Sequence, residues 1–280
     1  MKQLLQKAIP KLYGFYFNII SLFSKKKAAQ LALEVFSTPR RGRILEHQAT
    51  FLNTARQQRI TSEDCLYMLY HWKGNGPTVL LNHGWESNAF RWKYLFDDLK
   101  KLDLNIIAVD GPAHGNSSGK LFTAIKYSKV IKSTIELYEP EIIISHSVGA
   151  MATIYNEYHH PSPSLKKLIL LGGPNSLETI MQDYQKLLSF NNRVYNGLNA
   201  TLKEKFGYEI EKFNAADFAV NIEADTLLLH AQQDAIVPCS ASKAIAGRMK
   251  NATYIETQTG GHSLHTEENT KHILDFLSKA

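Results

Sequence analysis

Hydrophobic positions fall into two regimes along this chain. Up to about residue 57 they recur at helical spacing: Leu12 to Phe23 (LYGFYFNIISLF) is a dense apolar run, and Ala28 to Phe36 is a helix rich in Ala and Leu. Thr38-Pro39-Arg40-Arg41-Gly42 breaks that helix, and a further helix is predicted from Glu46 to Gln57. From about residue 66 short apolar or β-branched runs alternate with longer helical segments. Strands are predicted at Leu66 to Trp72 and Thr78 to Leu81, on either side of a Gly74-Asn75-Gly76-Pro77 turn. Further strands follow at Asn105 to Val109, Glu141 to Ile144, Lys167 to Leu171, Thr226 to His230 and Thr253 to Glu256. Between them helices are predicted at Phe90 to Lys101, Phe122 to Tyr138, Val148 to Tyr158, Ser240 to Met249 and Thr266 to Leu277.

Near-continuous apolar runs such as NIIAV and LILL are what strands covered on both faces require, and their alternation with helices implies parallel pairing through crossovers. The expected fold is α/β, a doubly wound and mostly parallel sheet. Ligands of such sheets bind at the carboxyl ends of the strands. Between Gly173 and about Val220 the alternation stops, leaving a mostly helical insertion at about 174–220, here termed the cap. Its Tyr184, Phe190, Tyr195, Phe206, Tyr208 and Phe213 could line a pocket or form the cap's own core. The expected organisation is one domain over residues 1–280, with residues 1–60 as a basic helical extension and the cap as an insertion.

Charge sharpens this division. The net charge is +6, but residues 1–60 hold 11 Lys or Arg against Glu34 and Glu46, a balance of +9, while the rest of the chain carries −3. The part with recognisable chemistry is slightly acidic, which argues against a nucleic-acid partner. The two cysteines, Cys65 and Cys239, are far apart and show no metal-ligand spacing, so they are read as ordinary buried or half-buried thiols. The apolar run at Leu12 to Phe23 lies between Lys7 and Lys11 on one side and Lys25, Lys26 and Lys27 on the other. It is shorter than the roughly 20 residues a spanning helix needs, and it lacks the cleavage site of a secretory signal. Two readings remain: a helix that packs its aromatic face on the catalytic domain, or weak contact of residues 1–27 with a membrane surface. The expected location is cytoplasmic, or peripheral to the inner face of a membrane.

Candidate chemistry lies directly after the strands. After the strand EIII comes Ser145-His146-Ser147-Val148-Gly149, then a helix-forming stretch. Strand, sharp turn and helix form the context that lifts a serine hydroxyl clear of a sheet. In this segment the chain resembles the α/β-hydrolase family of serine esterases and lipases, although Ser145 stands where the G-x-S-x-G pattern has its first glycine. The elbow centre, Ser147, is the expected nucleophile, and Ser145 is the other candidate.

The resemblance implies an acid after a late strand and a histidine near the carboxyl end. Asp234, in the loop Gln233-Asp234-Ala235-Ile236-Val237-Pro238 after TLLLH, fits the first, and His262 in Gly260-Gly261-His262-Ser263 fits the second. It also implies an oxyanion hole from the backbone N–H groups of Val148 and Trp85, the latter in Asn82-His83-Gly84-Trp85. His83, Gly84, His146 and Gly149 are then supporting residues. Asp110-Gly111-Pro112-Ala113-His114-Gly115-Asn116-Ser117 resembles a structural turn of the same family. Neither a metal nor another cofactor is implied.

The expected activity is hydrolysis of a small-molecule carboxylic ester or thioester through a Ser147–His262–Asp234 triad and an acyl-enzyme. The alternatives are a lipase or thioesterase working at a membrane surface, an amidase or C–C bond hydrolase reachable from the same triad, and a hydrolase-fold binding protein that has lost catalysis. Dehalogenase and epoxide hydrolase chemistry needs a carboxylate where Ser147 stands.

Overall fold

The computed structural model describes residues 2–63 and 65–279, with the side chains of residues 2–7 outside the description. In chain order its helices are α1 (Lys2–Phe23), α2 (Lys25–Ser37), α3 (Glu46–Leu52), α4 (Lys93–Lys101), α5 (Ala124–Tyr138), α6 (Val148–His159), α7 (Leu177–Leu188), α8 (Asn192–Phe206), α9 (Ala215–Phe218), α10 (Ser240–Ala246) and α11 (Glu267–Leu277). The strands are β1 (Arg56–Ser62), β2 (Cys65–Trp72), β3 (Thr78–Asn82), β4 (Asn105–Val109), β5 (Ile142–His146), β6 (Lys167–Leu171), β7 (Asp225–Ala231) and β8 (Ala252–Thr257). The chain divides into two compact units: Met1–Thr38 with Ser176–Asn214, and Pro39–Asn175 with Ala215–Ala280.

The larger unit is built on one eight-stranded sheet in the order β1-β2-β4-β3-β5-β6-β7-β8. β1, β2 and β4 pair antiparallel, and all strands from β4 to β8 pair parallel. Alternate residues of each central strand point to opposite faces. Val79 and Leu81, Ile106 and Ala108, Ile142 and Ile144, Ile169 and Leu171, and Leu227 and Leu229 build one core, joined by Leu95 and Leu99 of α4 and by Ile273 and Phe276 of α11. The intervening Leu80, Ile107, Ile143, Leu168, Leu170 and Leu228 are equally buried. Burial on both faces explains the uninterrupted apolar runs.

One strand departs from the expected pattern. The helix predicted over Glu46 to Gln57 ends at Leu52, and residues 56–62 are the edge strand β1, paired from Arg56↔His71 to Ser62↔Cys65. Its sequence RQQRITS is polar because most of it stays in solvent, and charged side chains on an edge discourage further strand pairing. β5 also runs two residues past the predicted Ile144, which carries Ser145 and His146 into the sheet. Both cysteines are half-buried.

The smaller unit combines α1 and α2 with α7 and α8. The segment read as a single extension over residues 1–60 is divided: residues 1–38 fall in one unit with the cap helices, and residues 39–60 fall in the unit built on the sheet. Phe17, Ala28, Ala29, Ala32 and Leu33 pack with Met181, Leu188, Phe190, Val194, Leu198 and Leu202 in one cluster. Tyr184, Tyr195 and Phe206 pack against that cluster, so these cap aromatics belong to the unit's own core. Gly14 lets α1 lie close to α7, since a Cβ there would sit 1.7 Å from the Leu188 carbonyl oxygen. α1 runs through Pro10 as one helix, and its covered face packs within this unit.

Candidate functional site

Parallel pairing brings the carboxyl ends of β3, β5, β6, β7 and β8 to one edge of the sheet; Gly84, Trp85, Ser147, Asp234 and His262 lie just beyond those ends, His146 is the last residue of β5, and Val148 and Gly149 open α6. Ser147 follows β5 with φ 54° and ψ −125°, a left-handed conformation that costs a non-glycine residue of order 1–3 kcal/mol. The strain is held by the Ser147 N–H, which donates to the Leu171 carbonyl at 2.8 Å, and by α6, which begins at the next residue. Gly149 permits this turn, because a Cβ there would sit 2.4 Å from the His83 carbonyl oxygen. Ser145 occupies a different environment. Fully buried, its Oγ lies 2.7 Å from Thr153 Oγ1 and accepts from Asn82 Nδ2 at 3.2 Å.

The structure brings Ser147, His262 and Asp234 into one hydrogen-bonded chain. His262 Nε2 lies 3.0 Å from Ser147 Oγ, and His262 Nδ1 lies 2.7 Å from Asp234 Oδ2. A carboxylate can only accept, so Nδ1 carries the ring proton and the Nε2 lone pair faces the serine hydroxyl. The Asp234 side chain is fully buried. Burial pushes its carboxyl up, but hydrogen bonds from His230, His262 and the amides of Val237 and Ile236 outweigh this and hold it well below the usual carboxylate range. The two amides donate to Oδ1 at 2.9 and 2.8 Å.

His230 is a partner that the sequence reading left without a role. Its Nε2 faces Asp234 Oδ2 at 3.2 Å and the Val237 carbonyl at 2.9 Å. Both are acceptors, so this nitrogen is protonated, while Nδ1 faces Ser242 Oγ at 2.7 Å. Its position as the penultimate residue of β7, four before Asp234, was the available signal.

The loop after β3 sits against the nucleophile. A Cβ on Gly84 would be 2.9 Å from both Ser147 Cβ and His146 Nδ1, so only glycine allows this approach. His83 anchors the loop from within: its Nδ1 donates to the Gly84 carbonyl at 2.7 Å and its Nε2 accepts from the Gly111 amide at 2.8 Å. Burial drives its pKa well below the ordinary value, so it stays neutral. The neighbouring turn is fastened by the buried Asp110, which accepts from the amides of Ala89 and Asn116 and from the Tyr70 hydroxyl, each at 2.9 Å. Beside it His114 Nε2 accepts from the Glu86 amide at 2.9 Å. The two predicted oxyanion donors, the amides of Trp85 and Val148, have no acceptor among the described residues. Val148 is the first residue of α6, a position whose N–H has no carbonyl one turn back.

Two further side chains hold the loop that carries His262. His146 donates from Nε2 to the His262 carbonyl at 2.7 Å, and Arg91 Nη2 donates to the Ser263 carbonyl at 2.6 Å. Burial, followed by the positive charge of Arg91, keeps His146 neutral by pulling its pKa well below the ordinary value. The motif placed His146 as a support, whereas Arg91 carried no sequence signal, being one basic residue in an amphipathic stretch.

A family model described as TAP-like protein matches residues 199–279. Monoglyceride lipase of Rattus norvegicus is 25% identical over 136 residues, which are 43% of this chain and 45% of that enzyme, so the match spans less than half the lipase. AB hydrolase superfamily protein YisY of Bacillus subtilis (strain 168) is 22% identical over 241 residues, 71% of this chain and 89% of that protein. An esterase from Exiguobacterium antarcticum matches with a TM-score of 0.63 at 15% identity, over 80% of this chain and 100% of its own, a likeness of fold.

Proposed function

We propose that this chain, an α/β-hydrolase superfamily protein, is a serine hydrolase that cleaves carboxylic esters or thioesters through an acyl-enzyme. One observation carries the proposal: a serine at a strained strand-to-helix turn has its hydroxyl 3.0 Å from an imidazole whose other nitrogen is 2.7 Å from a buried carboxylate. A serine hydroxyl is a weak nucleophile at neutral pH and needs this arrangement to react.

In the first step Ser147 Oγ attacks the substrate carbonyl carbon while its proton passes to His262 Nε2. Asp234 keeps the imidazole in the required tautomer and offsets the charge of the imidazolium. The amides of Trp85 and Val148 receive the oxyanion, and each such donor is worth about 2.7–4 kcal/mol at the transition state. Collapse of the tetrahedral intermediate breaks the carbonyl–oxygen or carbonyl–sulfur bond, and His262 protonates the leaving group. Water then repeats the sequence on the acyl-enzyme, which releases the acid and restores Ser147.

The test is hydrolysis of p-nitrophenyl esters and acyl-CoA thioesters of graded length by wild type and Ser147→Ala. Wild type turns over at least one series, and the variant loses about 10⁴–10⁶-fold in kcat. Equal turnover by both proteins would refute the proposal, and silence of the wild type towards both series would leave the binding-protein reading.

A further inference from the structure

Over its described side chains, residues 8–23, α1 is apolar around most of its circumference, yet only one face is covered. Gly14, Phe17 and Ser21 form the covered face, with Phe17 only 1% exposed. On the opposite side Leu12, Phe15, Tyr16, Ile19, Leu22 and Phe23 recur at helical spacing and are 41 to 85% exposed. Water-facing positions on a helix of a globular protein are ordinarily polar, so a row of this kind marks a surface that meets something else.

Charge indicates what it meets. α1 contains no acidic residue, and Glu34 is the first in the chain. Lys11, Lys25 and Lys27 are exposed and have no acidic partner among the described residues, whereas Lys26 pairs with Glu204 at 2.9 Å. A self-complementary pairing of two copies would crowd these lysines against their equivalents with no acid to offset them. An anionic headgroup layer offers the complementary charge, with acyl chains beneath for the aromatic and aliphatic row. At 22 residues α1 is about 33 Å long, enough to lie in an interface with both ends reaching it. No helix among the described residues is long and apolar enough to cross a membrane.

We infer that α1 is a membrane-surface docking element, which inserts the Leu12–Phe15–Tyr16–Ile19–Leu22–Phe23 row among the lipids of an anionic bilayer while the flanking lysines engage headgroups. This does not rest on the hydrolase reading, because its test measures binding.

The experiment is flotation of the full chain with vesicles of pure phosphatidylcholine and of phosphatidylcholine mixed with phosphatidylglycerol. Phe15→Gln/Phe23→Gln and Lys11→Gln/Lys25→Gln/Lys27→Gln serve as variants. All five side chains are exposed, so thermal melts should match wild type, and hydrolysis of a soluble short ester should be unchanged. Wild type should float with the mixed vesicles and much less with the neutral ones, and added salt should release it. The aromatic variant should lose at least about tenfold in partition, and the lysine variant should lose its preference for anionic vesicles. The inference is overturned if wild type floats with neither vesicle or if the aromatic variant floats as well as wild type. It is also overturned if wild type is a dimer that the aromatic variant dissolves and no vesicle binding occurs.

Discussion

Two serines two positions apart sit in different surroundings, Ser147 at the strained turn that leaves β5 and Ser145 locked within the sheet. Ser145 Oγ is committed to Thr153 and Asn82, so Ser145→Ala should leave kcat near wild type and lower stability by about 1 kcal/mol, read by urea unfolding. Asp234→Asn should keep the fold but cost about 10⁴-fold in kcat, since an amide no longer fixes the His262 tautomer. The buried neutral histidines His83, His114 and His146 predict an acid-sensitive fold. Burial lowers each of them, His114 to about 4. Below pH about 6.5 the unfolded chain takes up protons that these rings refuse, so stability is complete above that pH and falls beneath it. Each ring contributes about 1.4 kcal/mol per pH unit down to its folded pKa, and a flat melting temperature between pH 7 and pH 5 would contradict this. The elbow and the loops of Asp234 and His262 were legible in the sequence, because each combines a strand end with turn chemistry. His230 was not, because nothing in a linear pattern distinguishes a histidine that supports a carboxylate from one that fills a core.

At the scale of elements, the loop after β8 owes its position to side chains contributed from elsewhere. His146 and Arg91 hold two successive carbonyls of that loop, those of His262 and Ser263. Arg91→Met keeps the aliphatic stem and removes the bond. It should lower kcat about tenfold through looser placement of His262, with little change in melting temperature, and kinetics of the soluble ester would check it. The central strands were readable from their apolar runs, which burial on both faces demands. β1 was not: an edge strand needs few apolar residues, and no Gly or Pro separates Leu52 from Arg56 to mark where the helix stops.

On the scale of the whole molecule, the smaller unit joins two segments far apart in sequence, an association that local periodicity cannot reveal. α1 offers a direct comparison on one helix. Phe17→Ala should destabilise by about 3–5 kcal/mol, because Phe17 is buried in the unit's core. Phe15→Ala should stay within about 0.5 kcal/mol, because Phe15 is 64% exposed. Denaturant unfolding of both variants decides the matter, and equal effects would contradict the packing described for α1.

The most direct test of the proposed chemistry is to react the folded protein with a fluorophosphonate and find the modified residue by peptide mass spectrometry. A single adduct at Ser147, slowed strongly in His262→Ala and absent in Ser147→Ala, is the predicted result. An adduct at another serine, or unchanged labelling without His262, would contradict it.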